Sequence, residues 1–183
     1  MKEKEITLTF YLEQVCNDIL AKCNLIGKSI RDEAMNDIKA DIMTPDSQET
    51  LSVICRATTE AFANLKIASQ RYQVVGRTAD NNLLERLVAS YDEDAETGEI
   101  SNIEYETLVW TLLIPNFNTS VTDGLKSWMH KYVVDYVMWR FLQDQHPEKA
   151  GEYKKIADDE DYPNVVKCLN MRENFNFRRA RFM

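Results

Sequence analysis

Apolar residues recur at helical spacing along most of this chain. Leu8, Leu12, Val15, Ile19 and Ile26 predict a helix over 8–26, with Leu20 and Leu25 widening its stripe. Thr7 or Thr9 is placed to cap it, and Gly27 to end it. Ile30, Ala34, Ile38 and Ile42 suit a short surface helix over 28–43, broken by Thr44-Pro45. Asp46, followed by Ser47-Gln48-Glu49, offers an N-cap with Glu at the third helical position. The series Leu51, Ile54, Cys55, Thr58, Ala61, Phe62, Leu65, Ala68, Tyr72 and Val75 then draws one continuous apolar face toward Gly76.

The pattern changes over 83–114. LLERLVASYD, an acidic connection and IEYETLVWTLLIP predict a long antiparallel β-hairpin, although the first arm fits a helix as well. In the second arm, Ile103, Tyr105, Thr107, Val109, Thr111 and Leu113 share one face. Leu108, Trp110, Leu112 and Ile114 share the other. A lone two-stranded ribbon is marginally stable, so this one must pack on helices or on a partner. Pro115 ends the strand, and Ser120-Val-Thr-Asp123 reads as a capping box for a helix over 121–143. Leu125, Trp128, Met129, Tyr132, Val133, Tyr136, Val137, Trp139, Phe141 and Leu142 cover most of that helix's circumference, as in a central helix. Pro147 suits a helix start. Asp158-Asp159-Glu160-Asp161 and Pro163 should break or kink that helix before a last piece bearing Val165, Val166 and Leu169. The fold class is therefore mainly α, a helical bundle of about four to five helices with an inserted long β-hairpin.

A length of 183 residues, 44% of them hydrophobic, fits one domain with a sizeable core. Five Gly and four Pro argue against an all-β fold. Cys16, Cys23, Cys55 and Cys168 include no CxxC pair and read as structural thiols of a reducing compartment. No apolar run reaches signal-peptide or membrane-spanning length, so no membrane partner is expected.

The last twelve residues, RENFNFRRARFM, have a different composition. Arg172, Arg178, Arg179 and Arg181 against Glu173 give +3, so with −8 for the whole chain residues 1–171 carry −11. Phe175, Phe177 and Phe182 lie among these charges. We divide the chain into a helical domain, 1–171, and a basic aromatic C-terminal arm, 172–183. The arm reads as a disordered terminus, as a contact for an acidic protein surface or a neighbouring subunit, or as a nucleic-acid contact. Arg172, Phe175, Phe177, Arg178, Arg179 and Arg181, with Trp110 of the hairpin, are the candidate partner-binding residues. Trp110, Trp128 and Trp139 lie at core spacing for their elements.

Motifs for catalysis are missing from the sequence. His130 and His146 belong to no HExxH or ExxH pair, and DDED reads as a solvated charge run. Gly27-Lys28-Ser29 lacks the first P-loop glycine, whose place is taken by Lys22. The expectation is no enzyme, no catalytic or metal residues and no cofactor.

The order of elements resembles the head–tail connector, or head-completion adaptor, proteins of tailed bacteriophages, in versions from phages and prophages of Bacteroides-like bacteria. Leu25-Ile26-Gly27-Lys28 resembles a Y/L-I-G-x-K element that closes the first helix. The run from Leu112 to Asn118, LLIPNFN, resembles the strand end entering the penultimate helix, and Tyr132 to Phe141 resembles that helix. His146 to Tyr153 resembles the next helix start, and Leu169-Asn170-Met171-Arg172 with the arginines beyond resembles the ending. Pro163 falls where the family's last helix is continuous. The resemblance implies a virion structural protein, made in the bacterial host cytoplasm and located at the neck. Rings of about twelve copies would dock on the portal, extend the channel for genomic DNA and receive tail or neck proteins. The alternative is a helical intracellular regulatory or nucleic-acid-binding module that uses its Arg-rich tail.

Overall fold

The computed structural model describes residues 3–29, 48–72, 88–97, 100–144 and 146–173. The fold is mainly helical with two small antiparallel sheets. The segment expected to be helical from 28 to 43 lies largely outside the described residues, as do the Thr44-Pro45 break, the Asp46 cap and Gly76.

The chain opens with a strand rather than a helix, β1 (Glu3–Tyr11). Leu8 does lie at helical spacing from Leu12 and Val15, but Ile6, Leu8 and Phe10 also alternate with Thr7 and Thr9. All three apolar residues of that alternation are buried. Helix α1 (Leu12–Ser29) begins where the alternation stops and runs past Gly27. Helix α2 (Gln48–Ser69) buries Leu51, Ile54, Ala61, Phe62 and Leu65, then tightens into a 3₁₀ turn, Gln70–Tyr72.

Two strands, β2 (Val88–Glu93) and β3 (Ile100–Tyr105), pair antiparallel as a hairpin with irregular register. Residues 83–87 of the expected first arm lie outside the described residues, and the expected second arm divides at Glu106. Past it, β4 (Thr107–Pro115) pairs with β1, placing Ile6 opposite Leu112, Leu8 opposite Trp110 and Phe10 opposite Leu108. The two faces of β4 divide as the alternation predicts, with Leu108, Trp110, Leu112 and Ile114 all buried. This two-stranded ribbon is stable because its apolar face packs on helices. Phe10 meets Phe62 of α2 edge to face at 5.5 Å between ring centroids.

Beyond Pro115, Asn116 takes a left-handed conformation (φ 51), which asparagine tolerates. Asn118, rather than Ser120, caps the following turn: its Oδ1 accepts from the backbone N–H and the hydroxyl of Ser120. A 3₁₀ turn, Thr119–Val121, leads into α3 (Thr122–Leu142). Leu125, Met129, Val133, Val137, Met138 and Leu142 are fully buried, and α3 touches α1, α2, β1 and both C-terminal helical segments. It is the central helix that its apolar circumference predicts.

Helix α4 (Pro147–Ile156) passes into α5 (Tyr162–Asn170) through a π-helical turn, Ala157–Asp161. The α-helix is interrupted here, as DDED and Pro163 predict, by a π-helical turn and not by a loop. Pro163 accounts for it in part. It lacks an N–H, and its ring would crowd the carbonyl of Asp159 in an α-helix. The wider turn, closed by Tyr162 N–H donating to Ala157 O, accommodates it. Four helical rods therefore stand among the described residues.

Candidate functional site

The sequence-predicted contact residues separate in the structure. Trp110 points into the core and is buried, so it is not a surface contact in this fold. Phe175, Phe177, Arg178, Arg179 and Arg181 lie outside the described residues. Arg172 is part of the folded body. Its Nη1 donates to Leu169 O at 2.7 Å, and its Nη2 donates to the Tyr72 hydroxyl at 2.8 Å. The Tyr72 hydroxyl in turn donates to Asn170 Oδ1 at 3.1 Å. The guanidinium also lies 5.5 Å from the Tyr72 ring centroid. Arg172 thus ties the end of α2 to the end of α5.

Backbone pairing completes this junction. Asn118 N donates to Met171 O at 3.3 Å, Glu173 N donates to Asn116 O at 2.9 Å, and Phe117 bridges Arg172. Glu173 pairs with Lys4 of β1. The body therefore extends through Glu173, and the chain from residue 174 onward starts at the Pro115 end of the β1–β4 ribbon.

The β2–β3 hairpin holds a second concentration of charge. Asp92, Glu93, Asp94, Glu96, Glu104 and Glu106 are all exposed, with no Lys or Arg among the described residues 88–97 and 100–106. Backbone N–H groups of Thr97 and Glu96 donate to Asp94 and lower its pKa, holding it ionised. Asn102, itself left-handed (φ 49), donates to Asp92 at 2.8 Å, and Ser90 donates to Glu104 at 2.9 Å. The carboxylates are oriented by these bonds and still face solvent.

The third constellation is buried. Asp135 of α3 is 5% exposed and Asp161 of the π-helical turn 2%. Asp135 pairs with Lys22 of α1, whose ammonium also lies 5.3 Å from the Tyr153 ring centroid. Asp161 Oδ2 is buried with no hydrogen-bond partner. Burial first, then the charge of Asp135 and a hydrogen bond with it, push Asp161 up to about 7, against weaker opposition from Lys22 and Lys131. Lys22 pairs with Asp135, while burial and the Asp135 charge favour the protonated form of Asp161. The sequence carries a signal for this pair. Asp135 interrupts the apolar stripe of α3, and Asp161 continues the buried stripe of Ala150, Ala157 and Val165. Only Asp158, Asp159 and Glu160 of DDED form the solvated run.

Other candidates resolve into packing. His130 Nε2 lies 2.7 Å from Asp18 Oδ2, joining α3 to α1. His146 stands at the start of α4 and makes no side-chain cap. No group of three His, Cys, Asp or Glu side chains suited to a metal occurs among the described residues. The cysteines form no disulfide, and burial pushes the Cys16 and Cys23 thiols up to about 12 and Cys55 to about 11. A cleft of about 420 Å³ between α2 and the end of α3 is spanned by an Arg140–Glu60 ion pair at 3.1 Å.

Neither a protein-family model, nor a curated protein, nor a solved structure matches this chain. Among the described residues no helix is long and apolar enough to cross a membrane.

Proposed function

We propose that this chain is a non-enzymatic virion structural protein, a subunit of a head–tail connector ring. In this reading it docks on a portal, extends the DNA channel and offers a surface for tail or neck proteins. The helices gather around α3 as a bundle, and the β2–β3 hairpin is the insertion that reaches neighbouring molecules.

The observation that carries the reading is the hairpin itself. Its described residues expose five carboxylates, with Glu106 a sixth at its base, and it meets the body chiefly through β3 against α1. A marginal ribbon of this kind gains little from its own chain, which suits a contact made with other subunits. A net charge of −8 also suits a DNA conduit, because like charge keeps a passing duplex from adhering.

The test is mass measurement of the purified full chain, alone and mixed with portal rings. Ring-sized species, or a defined number of copies on each portal ring, are the expected result. A strict monomer that ignores portal rings overturns the proposal.

A further inference from the structure

Helices α4 and α5, with the π-helical turn between them, form one rod that packs chiefly along α3. Its buried stripe is Ala150, Ala157, Asp161, Val165, Cys168 and Leu169, apolar but for Asp161. Both ends of the rod are fastened. Before α4, His146 N donates to Leu142 O of α3 at 2.7 Å. Beyond α5, Arg172 donates to the Tyr72 hydroxyl and Glu173 N donates to Asn116 O. The one buried charge-bearing group of the stripe therefore sits at its middle, in the turn.

The groups around Asp161 leave its charge poorly answered. From α3 come Asp135, which opposes ionisation, and Lys131, which favours it. From α1 comes Lys22, already paired with Asp135. Tyr153 of α4 lies against the Lys22 ammonium, and Tyr162 of α5 packs on Tyr132 of α3. Within the turn, Asp158 is exposed. None of these groups gives Asp161 Oδ2 a hydrogen bond; it is buried without a partner among the described residues. An ionised carboxylate there leaves negative charge on an unsolvated oxygen, which the protonated acid avoids. Water is the missing partner, and the middle of the rod must lift from α3 to admit it.

We infer that Asp161 is a proton-operated latch on the α4–α5 rod. Protonated, it lets the middle of the rod close on α3. Ionised, it opens the middle at the π-helical turn from a small population, while both ends stay fastened. The proton passes to solvent, and water hydrates the carboxylate left behind. Turns of this kind recur at functional sites. The direction with pH follows from the two states. Closed, the carboxyl is pushed up to about 7; open and hydrated, it returns toward its ordinary 3.8. Raising the pH therefore favours opening as far as about pH 7 and no further. The device works in a lone subunit and does not depend on the connector reading. Histidine also titrates in this range, but His130 pairs with Asp18 and joins α3 to α1, so its effect falls away from the rod.

The test is amide hydrogen exchange of the full chain, read by mass spectrometry from pH 5 to pH 8 and corrected for intrinsic exchange rates. In the wild type, opening over residues 157–169 should rise about tenfold from pH 5 to pH 6 and level off above about pH 7. Opening of α2 and of the β1–β4 ribbon should not follow it. In Asp161→Asn, which carries no charge at any of these pH values, the rise should vanish. A wild-type rod whose opening is flat with pH overturns the inference, as does an equal rise in Asp161→Asn. A rise of the same size in α2 and the ribbon also overturns it, because ionisation would then be relieved by global unfolding. If Asp161→Asn fails to fold, seen as lost helical circular dichroism, Asp135→Asn takes its place. That change removes the opposing charge and frees Lys22 to pair with Asp161, so the rise should be lost; an undiminished rise overturns the latch.

Discussion

Replacing Asp161 with Asn isolates the buried carboxyl pair and gives a signed, pH-dependent prediction. The side chain titrates near 3.8 when unperturbed and near 7 in the fold. Raising the pH through this window removes a proton from the unfolded chain while the native chain keeps it, so the group's contribution to stability falls as pH rises. The loss is complete above about pH 7, where both states are ionised. At about 1.36 kcal/mol per pH unit, the gap amounts to roughly 4 kcal/mol at pH 8. At pH 5 only the unfolded carboxyl has ionised appreciably, and the loss is roughly 1–2 kcal/mol. Asparagine keeps the shape, can donate to Asp135 as the protonated acid does, and carries no charge at either pH. The stability of Asp161→Asn relative to wild type should therefore rise by roughly 2–3 kcal/mol between pH 5 and pH 8 and then level off. For a domain of this size that corresponds to a relative Tm gain of about 5–10 °C. Urea denaturation of both proteins at each pH unit, followed by circular dichroism, measures it. Taking the difference cancels the titration of groups that are unaffected in both proteins, such as Asp94. A flat difference across this range would refute the raised pKa of Asp161, and a falling one would show that Asp161 is ionised and stabilising.

Other changes probe separate parts of the fold. Arg172→Ala should cost about 1–3 kcal/mol in denaturant titration, since it removes charge-assisted bonds to Leu169 and Tyr72; a neutral result would return Arg172 to the arm. Phe10→Ala should cost about 3–5 kcal/mol by opening a cavity against Phe62. Val109→Thr on the exposed face of the same ribbon should stay within about 0.5 kcal/mol, and equal losses at the two sites would contradict the register. Cys16, Cys23 and Cys55 should react slowly with a thiol reagent at pH 8 and rapidly in denaturant, because burial disfavours their thiolates. Rapid labelling of all three in the native chain would contradict that burial.

The helices were the most legible part of the sequence. In α3 apolar residues surround the helix, and no strand or loop accounts for that pattern. In β4 the alternation fixes the buried face whichever strand pairs with it. The pairing itself was less legible. β1 and β4 are brought together by tertiary contact, and the spacing of Leu8, Leu12 and Val15 satisfies a helical period across a strand–helix boundary. Pro163 marked the interruption of the α-helix but not its form. A proline argues against an α-helix, but a π-helical turn escapes the argument by widening. Asp161 sat within a four-residue acidic run, and composition does not distinguish its buried member from its solvated ones. Arg172 was grouped with the arginines beyond it because charge is visible in sequence, whereas a phenol at Tyr72 waiting 100 residues away is not.

The pairing of Glu3 with Pro115 also bears on how the chain is made. β1 leaves the ribosome well before β4. At about 5–20 residues per second, roughly 5–20 s pass before Thr107 follows Tyr11. During that interval Ile6, Leu8 and Phe10 have no partner strand to cover them. Each nascent chain on a crowded polysome carries the same uncovered apolar segment beside its neighbours. Yield of the intact protein should therefore depend on translation speed and on holdase chaperones more than its folded stability would suggest.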